Sequence, residues 1–310
     1  MSTRRRFMQD ASILLTGSLL SGSLLGPYLA NAADGAAMLT RKIPSSGEAI
    51  PVIGMGTSGS FQVPAGSAEH QALKEVLKRF FDGGGTVIDT APTYGNAEQL
   101  LGPLLSELNL RKRAFIATKL SGVKGREEGL AQFNQSLKTL QTDKVELLQV
   151  HNLNDWKTQM ALARELKSQG KVKYVGVTHY TESGQEGLAD VVQATKPDFL
   201  QINYSVTQRG AEKRVFPLAK DLGVAVLVNR NFDDGALFSR VQGKSLPGWA
   251  TEAGITSWAQ LFLKFALSHD AVTAVIPATG KPDRQSDNLK AGIGPLLAAA
   301  QKSELIQLVA

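Results

Sequence analysis

Three stretches of this chain place proton-moving groups at the ends of apolar runs. Thr86-Val87-Ile88-Asp89 runs β-branched and apolar into a carboxylate, and Ala91, Pro92 and Gly95 then break regular structure around Tyr94. Ala114-Phe115-Ile116-Ala117-Thr118 ends in Lys119, and Val145-Glu146-Leu147-Leu148-Gln149-Val150 ends in His151. A phenol is a weak acid at neutral pH, with a pKa of roughly 10. A nearby ammonium favours the phenolate and lowers that value. A buried carboxylate holds the ammonium in place and charged, and a neutral imidazole can orient a substrate oxygen. A phenol tuned in this way is a proton donor to an oxygen that is becoming an alkoxide. Each group also has an ordinary explanation: Asp89 as a helix cap, Lys119 as a snorkelling rim residue, His151 as a satisfied rim histidine, Tyr94 as packing. Four acid–base groups on neighbouring strand ends are harder to explain by packing.

Composition narrows the chemistry. The chain has 310 residues, 43% of them hydrophobic, which is ample for one large core. It has no cysteine, so disulfides, thiolate nucleophiles and cysteine zinc sites are excluded. The four histidines, His70, His151, His179 and His269, show no metal-ligand spacing, so no metal is expected. Of the net charge of +6, three arginines against one aspartate put +2 on residues 1–32. The other basic residues do not cluster with aromatics, so no nucleic-acid partner is expected. With neither metal nor thiol, reduction of a small-molecule carbonyl by an external hydride fits best.

The elements that must position these groups follow a rhythm. Apolar runs at Pro51–Met55, Thr86–Asp89, Ala114–Thr118, Val145–Val150, Lys173–Val177, Phe199–Ile202, Val224–Val228 and Thr273–Ile276 alternate with helical spacings, as in Ser67–Phe81 and Trp156–Ser168. Short continuous apolar strands between helices predict a parallel sheet covered on its outer face. Eight such units predict a single-domain α/β fold, a (β/α)₈ TIM barrel over residues 33–310, with the active site at the C-terminal strand ends. A doubly wound sheet is the rival. Gly54-Met55-Gly56-Thr57-Ser58-Gly59 has its glycine spacing, but Ser60-Phe61-Gln62-Val63-Pro64 follows where a helix should open. Ala33–Gly47 reads as a loop with room for a short hairpin. Asn229–Ile255 is too long for a plain connection and predicts a clamp or wall over the barrel mouth.

Gly85-Thr86-Val87-Ile88-Asp89-Thr90-Ala91-Pro92-Thr93-Tyr94-Gly95, Ala117-Thr118-Lys119 and Gln149-Val150-His151-Asn152 resemble, in order and spacing, the signature segments of the aldo-keto reductase family. The resemblance spans about Leu39 to Leu297. It implies a metal-free (β/α)₈ enzyme that reduces aldehydes and ketones with NADP(H), with Asp89, Tyr94, Lys119 and His151 as the catalytic four and Tyr94 as general acid. It also implies a cofactor shell. Gly56 and Thr57 follow the first strand. Thr178 and His179 stand where the family has Ser-Asn against the nicotinamide carboxamide, and Gln201 matches the family's amide ligand. Asn229 occupies the place of a stacking aromatic, a role that Phe232 could take. Arg230 is placed for the pyrophosphate, against the alternative of a surface salt bridge. In the segment that grips the adenosine 2′-phosphate and adenine, Arg284 and Asn288 match in register, Asp287 stands for a usual Glu, Thr279 for a usual Ser and Ala278 for a frequent Lys. NADP(H) is therefore preferred on the guanidinium of Arg284, with NAD(H) possible. Trp156, Trp249 and Phe232 are candidates for the substrate wall, against the alternative that they anchor loops. The altered shell leaves a second reading: a nucleotide-binding barrel that senses or scaffolds without significant turnover.

Ahead of the barrel, Arg4-Arg5-Arg6-Phe7-Met8 and a weakly apolar run diluted by Gly and Ser match a twin-arginine export signal over residues 1–32. Ala30-Asn31-Ala32 is a small-x-small site, which predicts cleavage after Ala32. The implied partner is the twin-arginine translocase, the implied location is the periplasm or another exported one, and no stable membrane insertion is expected after cleavage. N-terminal sequencing of the mature protein should begin at Ala33; an intact Met1 would refute the signal.

Overall fold

The computed structural model describes residues 37–310; the export signal predicted over 1–32 lies outside them. A hairpin of β1 (Thr40–Lys42) and β2 (Ala49–Pro51) comes first, as the loop reading allowed. Strands β3 (Met55–Gly56), β4 (Val87–Asp89), β5 (Phe115–Leu120), β6 (Val145–His151), β7 (Val172–Thr178), β8 (Phe199–Asn203), β9 (Ala225–Asn229) and β10 (Ala274–Val275) then pair in chain order, all parallel. Bridges from Ile53 to Val275 and from Gly56 to Ala278 join the two edges, so the eight strands form a barrel. Helices α1 (Ala68–Asp82), α2 (Ala97–Glu107), α3 (Gly125–Thr139), α4 (Trp156–Ser168), α5 (Gln185–Thr195) and α6 (Val215–Leu222) follow successive strands. After β9 come α7 (Ala236–Arg240), α8 (Gly248–Glu252) and α9 (Trp258–Leu267), and after β10 come α10 (Pro282–Lys290) and α11 (Ala299–Val309).

Side-chain parity explains the architecture. Successive residues of a strand point to opposite faces. Ile88, Ile116, Leu148, Val177, Leu200, Val226 and Val228 face the helices and join the large core between sheet and helix ring. Val87, Phe115, Ala117, Leu147, Tyr174, Phe199, Ala225, Leu227, Ala274 and Ile276 form a second cluster inside the barrel, which Ile43 and Ile50 of the hairpin region complete. The strands carry apolar residues at both parities because both faces are buried, which is why they do not alternate in sequence.

Continuing the inward parity towards the C-terminal strand ends replaces the apolar filling with polar groups: Asp89, Lys119, Gln149, His151, Thr178, Gln201 and Asn229. Strand register then sets them side by side. Gly56 lies opposite Asp89, Lys119 opposite Gln149, His151 opposite Thr178, and Thr178 opposite Gln201.

Two features differ from the sequence expectation. The long connection Asn229–Ile255 is not plain loop but holds α7 and α8, five residues each, too short for a hydrophobic period to reveal. Helix α11 buries only Leu305 and Val309 among eleven residues, a stripe too sparse to read.

Candidate active site

The Lys119 side chain is wholly inaccessible, and its Nζ donates to Asp89 Oδ1 at 2.7 Å and to the Thr90 carbonyl at 2.8 Å. The other Asp89 oxygen, Oδ2, accepts from Gln201 Nε2 at 2.8 Å and Gln149 Nε2 at 3.1 Å. Two buried charges are costly unless paired and fully hydrogen-bonded, and here both are. Burial alone would lower the Lys119 pKa; the Asp89 carboxylate, with Tyr94, more than reverses this and holds it above the ordinary lysine value. The ammonium lies 4.8 Å from the centroid of the Tyr94 ring. Burial raises the Tyr94 phenol above its ordinary value, while Lys119 pulls it back. The sequence expectation of a phenol lowered by its neighbour is corrected: burial is the larger effect, so Tyr94 keeps its proton at neutral pH and Lys119 limits the rise.

The strand that carries Lys119 is pinned from outside. Thr118, of opposite parity, donates to Glu98 Oε1 of α2 at 2.5 Å, and Ser136 of α3 donates to Glu98 Oε2 at 2.9 Å. On the next strand His151 Nδ1 is hydrogen-bonded to Ser121 Oγ, and its ring meets Tyr94 edge-on at 5.9 Å between centroids. Burial, then the charge of Lys119, lowers His151 from 6.5 to about 3, so the imidazole is neutral.

Asp89, Tyr94 and His151 line a cavity of about 490 Å³ with Gly56, Thr178, Gln201, Asn229, Arg230 and Phe232. Gln201 Oε1 accepts from Thr178 Oγ1 at 3.2 Å and Asn229 Nδ2 at 3.1 Å, so these three side chains continue the network that begins at Asp89. The Arg230 guanidinium stacks 4.6 Å from the Tyr180 ring centroid and pairs with Asp234 at 3.1 Å, tying the loops after β7 and β9 together across the mouth. Among the described residues nine non-glycine residues have positive φ, and Asn152, Leu153, Asp155, Arg230, Asp233 and Asp234 of these belong to the two loops after β6 and β9. Backbone strain of this kind collects where a site over-determines its geometry.

A second cavity of about 330 Å³ shares Ser58 and Ala278 with the first and reaches Thr279, Lys281 and the exposed Arg284. The two together make a row from Asp89, Tyr94 and His151 to the guanidinium of Arg284.

Other expected residues fall elsewhere. Thr57 is buried, and its hydroxyl donates to the Asp89 carbonyl at 3.1 Å, holding β3 to β4 rather than facing either cavity. The His179 ring is turned out of the cavity, with Nδ1 accepting from Thr181 N at 3.3 Å; a Cβ on Gly184 would come within 2.1 Å of it, so only glycine permits this placement. Asp287 accepts from Ser257 at 2.5 Å and Gln260 at 2.6 Å, and Asn288 is buried and lines neither cavity. Trp156 packs on the core, and Trp249 Nε1 donates to Glu304 at 2.9 Å, so both anchor structure and neither forms the wall. The aromatic wall comes instead from Phe232 and Phe238, 5.1 Å apart, with Tyr180. Gln149, Asn152 and Asn231 were not foreseen as site residues; inward parity was the signal for Gln149.

The family model for the aldo/keto reductase family matches residues 52–302. The chain belongs to the aldo/keto reductase family. It is 28% identical over 204 residues to the aldo-keto reductase YhdN of Bacillus subtilis, a match covering 61% of this chain and 60% of that one. It is 26% identical over 233 residues to an NADH-specific methylglyoxal reductase of Escherichia coli, covering 64% and 68%. The fold superposes on an aldo-keto reductase of Klebsiella pneumoniae solved with NADPH, with a TM-score of 0.75 at 23% identity, covering 88% of this chain and 95% of that one. The chain thus matches only about three fifths of the length of the Bacillus relative.

The depressed His151 has a direct consequence. Between pH 6.5 and about 3 the unfolded chain binds its proton while the folded chain does not. The stability it contributes is full above pH 6.5 and is lost as pH falls through that window. Imidazole C–H resonances of His151 should keep neutral-form shifts throughout mild acid; a titration midpoint above about pH 5 would contradict the burial argument.

Proposed function

We propose that this chain is an NAD(P)H-dependent oxidoreductase that reduces an aldehyde or ketone to an alcohol, with Tyr94 as the proton donor. The observation that carries the reading is one buried chain of contacts, Gln201–Asp89–Lys119, ending beneath the Tyr94 ring at the cavity that also holds His151.

The residues present fit a nicotinamide dinucleotide. A Cβ on Gly56 would lie 2.9 Å from the Ile276 carbonyl, so two strand ends close to backbone distance at the cavity floor. Asn229 Oδ1 and both amide atoms of Asn231 are buried in that wall with no hydrogen-bond partner among the described residues. Such atoms cost about 1–3 kcal/mol each when left unpaired, and a wall that gains partners on binding accounts for them. Thr178, Gln201 and Asn229 would hold the nicotinamide end, and Thr279, Lys281 and Arg284 the phosphate at the other. The fork of Arg284 favours NADP(H), although Ala278 supplies no second charge at that edge and Asp287 is engaged within the fold.

When bound, the reduced nicotinamide supplies hydride to the carbonyl carbon. Tyr94 gives its proton to the oxygen as charge develops there. Lys119 stabilises the phenolate left behind, and Asp89 keeps Lys119 charged and fixed. Neutral His151 orients the carbonyl oxygen. The preorganised donors need little rearrangement, which is where such sites gain most of their rate. The leader carries a separate proposal, export of the folded protein by the twin-arginine route, which would let nucleotide load before export; its support is the sequence of residues 1–32, namely Arg4-Arg5-Arg6-Phe7, the weakly apolar run and Ala30-Asn31-Ala32.

Tyr94→Phe should cut carbonyl reduction by roughly 10²–10⁴-fold, the usual worth of a general acid. Its NADPH affinity should stay near wild type, and the same titration should show NADPH bound more tightly than NADH. Wild-type rates in Tyr94→Phe would refute the role. Tight nucleotide binding with no turnover of any aldehyde, ketone or quinone would favour the sensor or scaffold reading.

A further inference from the structure

We propose that Ser121 is a positioning residue that holds His151 as its Nε2–H tautomer, so that His151 and Tyr94 present two hydrogen-bond donors to one substrate oxygen. The inference rests on the carbonyl-reduction reading above and adds a residue to it.

A neutral imidazole carries one N–H, and the nitrogen that bears it decides whether the other ring edge donates or accepts. The ring of His151 is neutral in this site. Its Nδ1 meets Ser121 Oγ, while among the described residues Nε2 has no hydrogen-bond partner and is open to the cavity that His151 lines. Ser121 is 4% exposed, and among the described residues its Oγ has no hydrogen-bond partner other than Nδ1. If Nδ1 bore the proton, the serine O–H would be left buried with no acceptor, a costly arrangement. If the serine donates to Nδ1, both groups are satisfied and the imidazole proton sits on Nε2. A lone pair at Nε2 would face the developing negative charge on the substrate oxygen; an N–H at Nε2 stabilises it.

Ser121 is itself held at two points. Its N–H donates to Gln132 Oε1 at 2.7 Å, and its carbonyl accepts from Gln132 Nε2 at 2.9 Å. Gln132 stands on α3, the helix that also reaches Glu98 through Ser136. The serine cannot drift from the imidazole without breaking this clamp. The Tyr94 ring meets the imidazole edge-on and limits its rotation. No group needs to move to present both donors; the tautomer is set before substrate arrives, and the resting orientation is the productive one.

The test is the imidazole tautomer read by long-range ¹H–¹⁵N correlation on the full ¹⁵N-histidine-labelled protein near neutral pH. The chain has only four histidines, and His151→Gln assigns the signal. Wild type should show the Nε2–H pattern. Ser121→Ala should shift it towards Nδ1–H and lower kcat by about tenfold or more, with KM and nucleotide affinity little changed. Ser121→Thr should restore both the pattern and the rate. An Nδ1–H pattern in wild type, or an unchanged Nε2–H pattern in Ser121→Ala, would overturn the proposal, and so would an altered tautomer with an unaltered kcat. If no carbonyl is reduced by the wild type, the functional reading fails and the rate claim fails with it. The tautomer pattern still decides separately whether Ser121 sets the ring.

Discussion

The buried ion pair of Asp89 and Lys119 is the constraint on which the rest of the molecule turns. A carboxylate and an ammonium inside a barrel are tolerated only when their remaining donors and acceptors are met. Thr90, Gln149 and Gln201 meet them, which requires β4, β5, β6 and β8 to hold one register at their C-terminal ends. Removing one partner of such a pair costs on the order of 3–5 kcal/mol, because the other is left buried and uncompensated. The site therefore cannot be loosened without loosening the barrel. Fold stability and catalytic geometry share the same hydrogen bonds.

The same pair explains the division of labour at the cavity. Burial raises Tyr94 and lowers His151, so both groups are neutral at neutral pH. Lys119 is the exception, because Asp89 keeps the ammonium form favoured. A single fixed positive charge beside a protonated phenol is the arrangement in which a weak acid can give up its proton to an oxygen that is gaining negative charge, because the phenolate it becomes is stabilised. The network then runs on from Asp89 through Gln201 to Thr178 and Asn229, so the buried ion pair and this wall of the cavity are one hydrogen-bonded unit.

Much of this was legible in sequence because strand parity is strict. Asp89, Lys119 and His151 end apolar strands, and eight strand–helix units leave few alternatives to a barrel. Gln149 was equally legible, two residues before His151 on the same face, but a carboxamide within an apolar run draws less notice than a charge. What sequence could not show was rotamer and partner. His179 sits in register with the shell yet turns onto Gly184; Asp287 has the right spacing yet is taken by Ser257 and Gln260; Trp249 is an apt wall residue yet finds Glu304. Asp287 and Trp249 were decided by neighbours far away in the chain, His179 by a glycine five residues on. Phe238 and Asn231 escaped notice for the complementary reason, since they lie in a connection whose short helices have no period to read.

The proposed chemistry requires that the charge of Lys119 govern the acidity of Tyr94. The most direct measurement is the pH dependence of kcat/KM for carbonyl reduction, in wild type and in Lys119→Met, read in short assays over the alkaline range. This profile reports the essential acid of the free enzyme. With the ammonium removed, the phenol should hold its proton more tightly, so the alkaline limb should move to higher pH while the plateau falls by at least about a hundredfold. An alkaline limb that stays in place, or moves down, would show that Lys119 does not set the Tyr94 proton and would contradict the account.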